Sequence, residues 1–330
     1  MPQAIGPIPL PRAGERTTGT FTFAGDPGLA KYEWPYIAMA GHIAGPTVLI
    51  TAGIHAAEYT GIEAAIRLGR TITPGAIRGT ILIIPLLNRP GFYERSIYVN
   101  PEDGDNLNRL FPGKPDGTWG ERFAHRLLTE VIVKCDHAID LHAGDLVEDL
   151  VPFVIYREMG NGELDEKITR MANAYGAEWA VRSVPTGERP GQLFAVAALN
   201  GVAAMLAESG GRGLLIEEDI IRHVRGVTNI LKAIGVLSGD AAGAPPTVVK
   251  SFDWVRSPVQ GMFHCSVLPA RPNASKITSC EPDGSPTPSS RTVSSTPSVE
   301  APTRTVMRPP AGEYLHALSS RLLSSCSSRS

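Results

Sequence analysis

Val48-Leu49-Ile50-Thr51-Ala52-Gly53-Ile54-His55-Ala56-Ala57-Glu58 decides the fold: a short apolar run stops at a glycine and delivers a histidine and a glutamate three positions apart. A β-branched run without alternation is what a parallel strand looks like when both of its faces are covered. Gly53 lets the chain turn sharply where that strand ends. Beyond it Ile62, Ala65, Ile66 and Gly69 fall at helical spacing, so strand gives way to helix. In a helical or near-helical turn, positions three apart share a face, and a His55 nitrogen and a Glu58 oxygen can converge on one ion. Taken alone, the motif is weak and reads as the polar start of a helix.

Working outward, Gly79 to Asn88 supplies a second buried strand, and strand, helix, strand is the crossover unit of a parallel sheet. Upstream, residues 1 to 16 form a Pro- and Gly-punctuated lead-in, and Thr17 to Phe23 and Glu33 to Ala40 read as strands around the turn-rich Gly25-Asp26-Pro27-Gly28. Residues 89 to 117 carry no periodicity but are dense in side chains that bind, which marks a long functional loop. Trp119 to Val133 is an amphipathic helix with Thr118 as N-cap and Glu121 three residues on. Ala138 to His142 is a third buried strand, again ending in a histidine close to a glycine, Gly144. Phe153 to Arg157, Trp179 to Val184 and Val202 to Glu208 follow as strands, with helices at Glu163 to Tyr175, Gly191 to Leu199 and Leu214 to Val236.

The pattern predicts an α/β fold: a mixed, largely parallel sheet covered by helices on both faces. Residues 1–240 would form the catalytic domain. Ser238 to Pro246 reads as a linker, and residues 247–268 as the start of a small β module. Residues 269–330 are dominated by Pro, Ser, Thr and Arg, a composition that cannot bury enough apolar surface to offset its ordering entropy. That stretch is expected to be a disordered tail or a segment translated out of frame.

Composition narrows the function. A net charge of -2 over 330 residues supplies no basic field for nucleic acid. No stretch approaches the ~20 apolar residues that span a bilayer. Pro2, Pro7, Pro9 and Pro11 interrupt any leader-like start, and Cys135, Cys265, Cys280 and Cys326 show no metal or redox spacing. A cytoplasmic, membrane-free protein is expected, with a homo-oligomer left open.

His55, His142 and Glu208 each fall at or just past the carboxyl end of a predicted buried strand, the edge where open α/β sheets bind ligands. Two histidines and a carboxylate with an open fourth position are the ligand set of hydrolytic zinc. His55, Glu58 and His142 are therefore read as ligands of one Zn2+ per chain. Glu208 is the candidate general base, its alternative being an N-cap or surface carboxylate. Asp140 points to the same side as His142 and either orients that imidazole or makes an ordinary buried hydrogen bond. In Asn106-Leu107-Asn108-Arg109, the Arg109 fork and the Asn108 amide could hold a substrate carboxylate, or Arg109 could bridge to Asp105 or Glu102. Arg95 is either an oxyanion stabiliser or a solvated surface charge.

Gly53-Ile-His-Ala-Ala-Glu58, Asn106-Leu-Asn-Arg109, Asp140-Leu-His142 and Ala207-Glu-Ser-Gly-Gly211, in that order over roughly 160 residues, resemble the succinylglutamate desuccinylase/aspartoacylase family, which is related to the zinc carboxypeptidases. The resemblance implies zinc on His55, Glu58 and His142, carboxylate recognition by Asn108 and Arg109, and Glu208 as base. It also implies a small β domain that narrows the active-site entrance, of which residues 247–268 look like the start. Aspartoacylases of that family carry an arginine about ten residues before the base; here the nearest polar residues are Arg189 and Gln192.

The expected activity is a zinc amidohydrolase that removes an N-acyl group from a small carboxylate-bearing amine. A carboxypeptidase acting on peptide C-termini and a non-catalytic zinc- or carboxylate-binding remnant are the alternatives. Asp145, Glu148 and Asp149 would make one side of the mouth acidic and favour acylated diamino acids, against the reading of a solvated acidic loop.

Overall fold

Strands covered on both sides must read as continuous apolar runs, and the computed structural model, which describes residues 4–184 and 191–249, assembles such runs into one sheet. In chain order the elements are a small hairpin, β1 (Ala4–Ile5) and β2 (Ile8–Pro9), then β3 (Arg16–Phe21), α1 (Pro27–Ala30), β4 (Trp34–Ala40), β5 (Ile43–Ala52), α2 (Tyr59–Thr71), β6 (Arg78–Ile84), α3 (Arg89–Glu94), α4 (Trp119–Glu130), β7 (His137–His142), β8 (Phe153–Arg157), α5 (Gly162–Tyr175), β9 (Trp179–Ser183), α6 (Leu193–Leu199), β10 (Ala203–Glu208), α7 (Glu217–Ala233) and β11 (Thr247–Val249). The described residues belong to one unit, Met1–Phe252. Among them no helix is long and apolar enough to cross a membrane.

The nine-stranded sheet has the order β11-β9-β8-β10-β7-β5-β6-β4-β3. Its centre, β10-β7-β5-β6, is parallel, while β4 and β3 close one side antiparallel and β8 pairs antiparallel with β10 on the other. The mixed, largely parallel sheet expected from the sequence is the one observed. From β5 the chain crosses through α2 to β6 on one side, whereas β7 lies against β5 on the other. The order therefore reverses between β5 and β7, the point at which a crevice opens beyond the carboxyl ends of the strands.

Helices cover both faces. On one, Trp34 of β4 stacks on Phe123 of α4 at 5.3 Å, and Trp119 stacks on the same ring at 5.6 Å. The Trp34 indole, fully buried, donates to the Leu87 carbonyl at 2.9 Å, so the largest apolar group of this face also has its polar atom satisfied. The expected capping box at the start of α4 is present, with Thr118 and Glu121 bonding reciprocally. On the other face lie α2, α5 and α7. There Gly61 lets α2 approach β7 closely: a Cβ at this position would lie 2.8 Å from the Leu141 carbonyl oxygen.

Three features differ from the sequence reading. The stretch 89–117 contains a helix, α3, capped by Asn88; six residues are too few to show a period, and Asn88 with Pro90 was its signal. The last helix begins at Glu217 rather than Leu214. Thr247–Val249, where a separate β module was expected to open, pairs in parallel with β9 and extends the central sheet. The remainder of that module, the tail 269–330, Arg189 and the three cysteines beyond 249 lie outside the described residues.

Candidate metal centre

His55 and Glu58 sit in the turn between β5 and α2. Gly53 adopts φ +63° as the strand ends, and the Glu58 amide donates back to the His55 carbonyl at 3.4 Å. The helix begins only at Tyr59, so Glu58 occupies its N-cap position but makes no capping bond. Its carboxylate turns instead toward the histidines: Oε1 lies 2.6 Å from His55 Nδ1 and Oε2 lies 2.9 Å from His142 Nδ1. Oε2 also accepts the Ala143 amide at 3.2 Å. His142 arrives from the end of β7, which neighbours β5, and the two rings stand 5.0 Å apart, nearly perpendicular.

The far nitrogens explain how the rings are held. His142 Nε2 donates to Asp140 Oδ2 at 3.0 Å, and Asp140 Oδ1 in turn accepts the Thr51 hydroxyl at 2.7 Å. His55 Nε2 donates to Asn106 Oδ1 at 3.1 Å, an oxygen whose identity is fixed because it also accepts the Asn108 amide. Acceptors outside the centre keep a proton on each Nε2, which leaves each Nδ1 lone pair pointing inward at the carboxylate. Burial opposes ionisation of Glu58, but the His142 and His55 imidazoles outweigh it and hold the carboxyl well below its usual range. Burial likewise opposes charging of His142, and Glu58 with Asp140 reverses that, raising it well above an ordinary histidine. One ligand atom from each of the three residues lies within 4.8 Å of the others, and this nitrogen and oxygen donor set suits a zinc-like divalent cation.

Glu208 ends β10 in register with His142, so the two side chains start from adjacent strands at one level. Its Oε2 is buried without a hydrogen-bond partner among the described residues. Burial, with Glu58, Glu148 and Asp140 adding to it and His142 opposing, pushes the carboxyl up to about 8. A cation at the centre would act in the opposite direction.

The remaining predicted residues are placed less centrally. Asn108 is buried; its Oδ1 accepts the Leu193 amide at the start of α6, and its Nδ2 stands 3.5 Å from His142 Nε2. Arg109 is exposed and its guanidinium donates to the Asn108 carbonyl; it forms no ion pair among the described residues, with Glu102 paired to Lys31 instead. Arg95 is exposed at the end of α3 with φ +60°, and the Ile97 carbonyl, two residues on, accepts the Ala57 amide of the turn that carries His55 and Glu58. Of the acidic lip, Asp145 is buried and Glu148 half-buried, and the Asp145 amide donates to Glu148 Oε2 at 3.4 Å. Neither acid has an ion-pair partner among the described residues. Asp149 leaves the lip, being exposed and facing Arg212 at 3.6 Å. Asn106 was visible only as part of a motif, and its hold on His55 has no local signature.

A model of the succinylglutamate desuccinylase/aspartoacylase catalytic domain matches residues 44–234. The chain is 32% identical over 205 residues to the N-alpha-acetyl-L-2,4-diaminobutyric acid deacetylase of Halomonas elongata, a match covering 59% of this chain and 57% of that relative, so it spans little more than half the relative's length. Among solved structures, the product-bound ectoine utilization protein EutE (DoeB) of Ruegeria pomeroyi is similar with a TM-score of 0.64 and 28% identity, over 74% of each chain. A succinylglutamate desuccinylase/aspartoacylase of Rhodobacter sphaeroides gives a TM-score of 0.62 and 28% identity over 71% of this chain and 69% of that one. With more than half of its length matched by the catalytic-domain model and the His55, Glu58 and His142 cluster at the crevice of its sheet, the chain belongs to the succinylglutamate desuccinylase/aspartoacylase family.

Proposed function

We propose that the protein is a zinc-dependent deacylase that hydrolyses the amide of a small N-acylated amino acid, with an N-acylated diamino acid as its preferred substrate. One observation carries this reading: two imidazoles turn their Nδ1 atoms onto the Glu58 carboxylate while Asn106 and Asp140 hold the opposite nitrogens. Zinc bound there would bring the pKa of a coordinated water toward ~7 and polarise the scissile carbonyl. The chain's own part is proton movement and orientation. Glu208 takes a proton from the attacking water and delivers it to the leaving nitrogen, so one water adds across one amide to give a carboxylic acid and an amine. The Asn108 Nδ2 group and Arg109 are assigned to the substrate carboxylate, and Arg95 to the developing negative charge.

The lip supports the diamino acid. Burial, with Asp145 adding to it, pushes the Glu148 carboxyl up to about 6, and burial raises Asp145 as well. Two such acids without a cationic partner are relieved by an ammonium group. The Halomonas elongata relative is named for an acetylated diamino acid, which favours the same choice. A cytoplasmic setting belongs to this reading.

The test is a zinc titration of the full chain beside its His142→Ala variant, followed by turnover of an Nα-acetyl diamino acid, a neutral acetyl amino acid and a short peptide. One zinc per chain, lost in the variant, and turnover highest for the diamino acid are expected. No stoichiometric zinc, or hydrolysis confined to the peptide, overturns the reading.

A further inference from the structure

Against the backbone of His142 lies a buried polar chain that the proposed reaction does not use. His223 of α7 is fully buried, and its Nε2 lies 2.9 Å from the carbonyl oxygen of His142. A carbonyl only accepts, so Nε2 carries the hydrogen. Its Nδ1 faces the hydroxyl of Tyr175, also buried, at 2.9 Å, and in the neutral ring that nitrogen accepts the phenol's hydrogen. With Nε2 donating to a carbonyl and Nδ1 facing a hydroxyl that can donate, a single neutral tautomer satisfies both ends of the ring. The Ser209 backbone also bears on the ring. Ser209 follows Glu208, its amide donates to the same His142 carbonyl at 3.2 Å, and its own carbonyl accepts the Thr60 hydroxyl of α2 at 2.7 Å. One imidazole thus stands where the strand bearing His142 and the strand bearing Glu208 both end. Gly226 lets Tyr175 lie against α7 to reach it: a Cβ there would fall 2.4 Å from the Tyr175 ring.

We propose that His223, locked in one tautomer by Tyr175, is a positioning residue that sets the spacing between the metal ligand His142 and the carboxylate of Glu208. The inference rests on the zinc deacylase reading and concerns residues that touch neither metal nor substrate. A buried hydrogen bond holding a ligand in place from outside has an effect of ~10–100-fold on metal affinity or turnover when removed. Phe at position 223 fills the space of the ring without a donor. Gln carries an amide N–H that can reach the His142 carbonyl.

The experiment measures the zinc Kd of the full chain by competition with a chromophoric chelator, for wild type, His223→Phe, His223→Gln and Tyr175→Phe, together with kcat and KM on zinc-loaded protein. Expected are a Kd raised ~10–100-fold in His223→Phe, substantial recovery in His223→Gln, and a smaller increase in Tyr175→Phe. In each variant kcat should fall while KM holds. If His223→Phe does not fold, Tyr175→Phe, which removes a single oxygen, decides by the same readouts. Variants that melt earlier but bind zinc and turn over as wild type does, with Phe and Gln alike at 223, overturn the positioning role while leaving the deacylase reading intact. A wild-type chain that binds no zinc overturns both.

Discussion

Glu208 lies in surroundings that oppose its ionisation, yet it has to give up a proton to act as a base. Burial and the neighbouring acids Glu58, Glu148 and Asp140 raise it, and only positive charge nearby reverses this. Basicity at this residue is therefore tied to the occupant of the adjoining centre, and an amide at position 208 separates the two. Glu208→Gln is expected to retain stoichiometric zinc while kcat drops by ~10²-fold or more, checked by metal analysis and steady-state kinetics on the same preparation. Loss of zinc in that variant would make 208 a ligand rather than a base. His55, His142 and Glu208 were legible in the chain because each lies at or just past the end of a buried apolar run and near a glycine, a local signature. Asn106 and His223 had none, since they meet the site only across 51 and 81 positions of sequence and only after folding. Arg109 and Asn108 were legible as a motif, but the Asn108 oxygen proved to be engaged by the start of α6, a contact no spacing announces.

At the scale of the element, α2 links packing to chemistry. Its second residue supplies the hydroxyl that reaches Ser209, and its third, Gly61, sets how near the helix lies to β7. Gly61→Ala opposes two effects. Alanine favours a helix over glycine by ~1 kcal/mol, whereas forcing a methyl against the Leu141 carbonyl in a packed layer costs about 1–3 kcal/mol. Overpacking is expected to win, lowering the denaturant midpoint and, by lifting Glu58 away from His142, weakening zinc binding in the same variant. A more stable protein with unchanged zinc affinity would show that α2 can shift without disturbing its N-terminus. Helices and strands of this size were legible because their apolar periods repeat. Helix α3 was not, because it ends before completing two turns, and β11 was not placed because its partner β9 is found only in three dimensions.

Across the whole molecule, β7 carries a pH-sensitive group at the end opposite His142. His137 is buried with its Nδ1 unpartnered among the described residues, and burial lowers its pKa from 6.5, with Lys167 and Arg170 adding and Asp136 opposing. As pH falls below 6.5 the unfolded chain takes up this proton before the folded one does, so stability declines with a slope of at most about 1.4 kcal/mol per pH unit until the folded histidine also protonates. His137→Leu should flatten that decline in denaturant titrations between neutral and mildly acidic pH; an unchanged slope would assign the acid sensitivity elsewhere. The α/β class was legible from the alternation of buried runs and amphipathic stretches, whereas the reversal of strand order that opens the crevice required knowing which strands are neighbours. That arrangement has one more consequence. Because His142 and Glu208 lie level on adjacent strands, the ladder of β7 and β10 works as a gauge for the distance between them. A slip of one residue would turn either side chain to the opposite face, and a slip of two would carry it ~6.6 Å along the strand. Insertions within these two strands are closed to any descendant of this sequence, while the loop from Ala143 to Pro152, which the gauge does not govern, is where a new specificity can be tried.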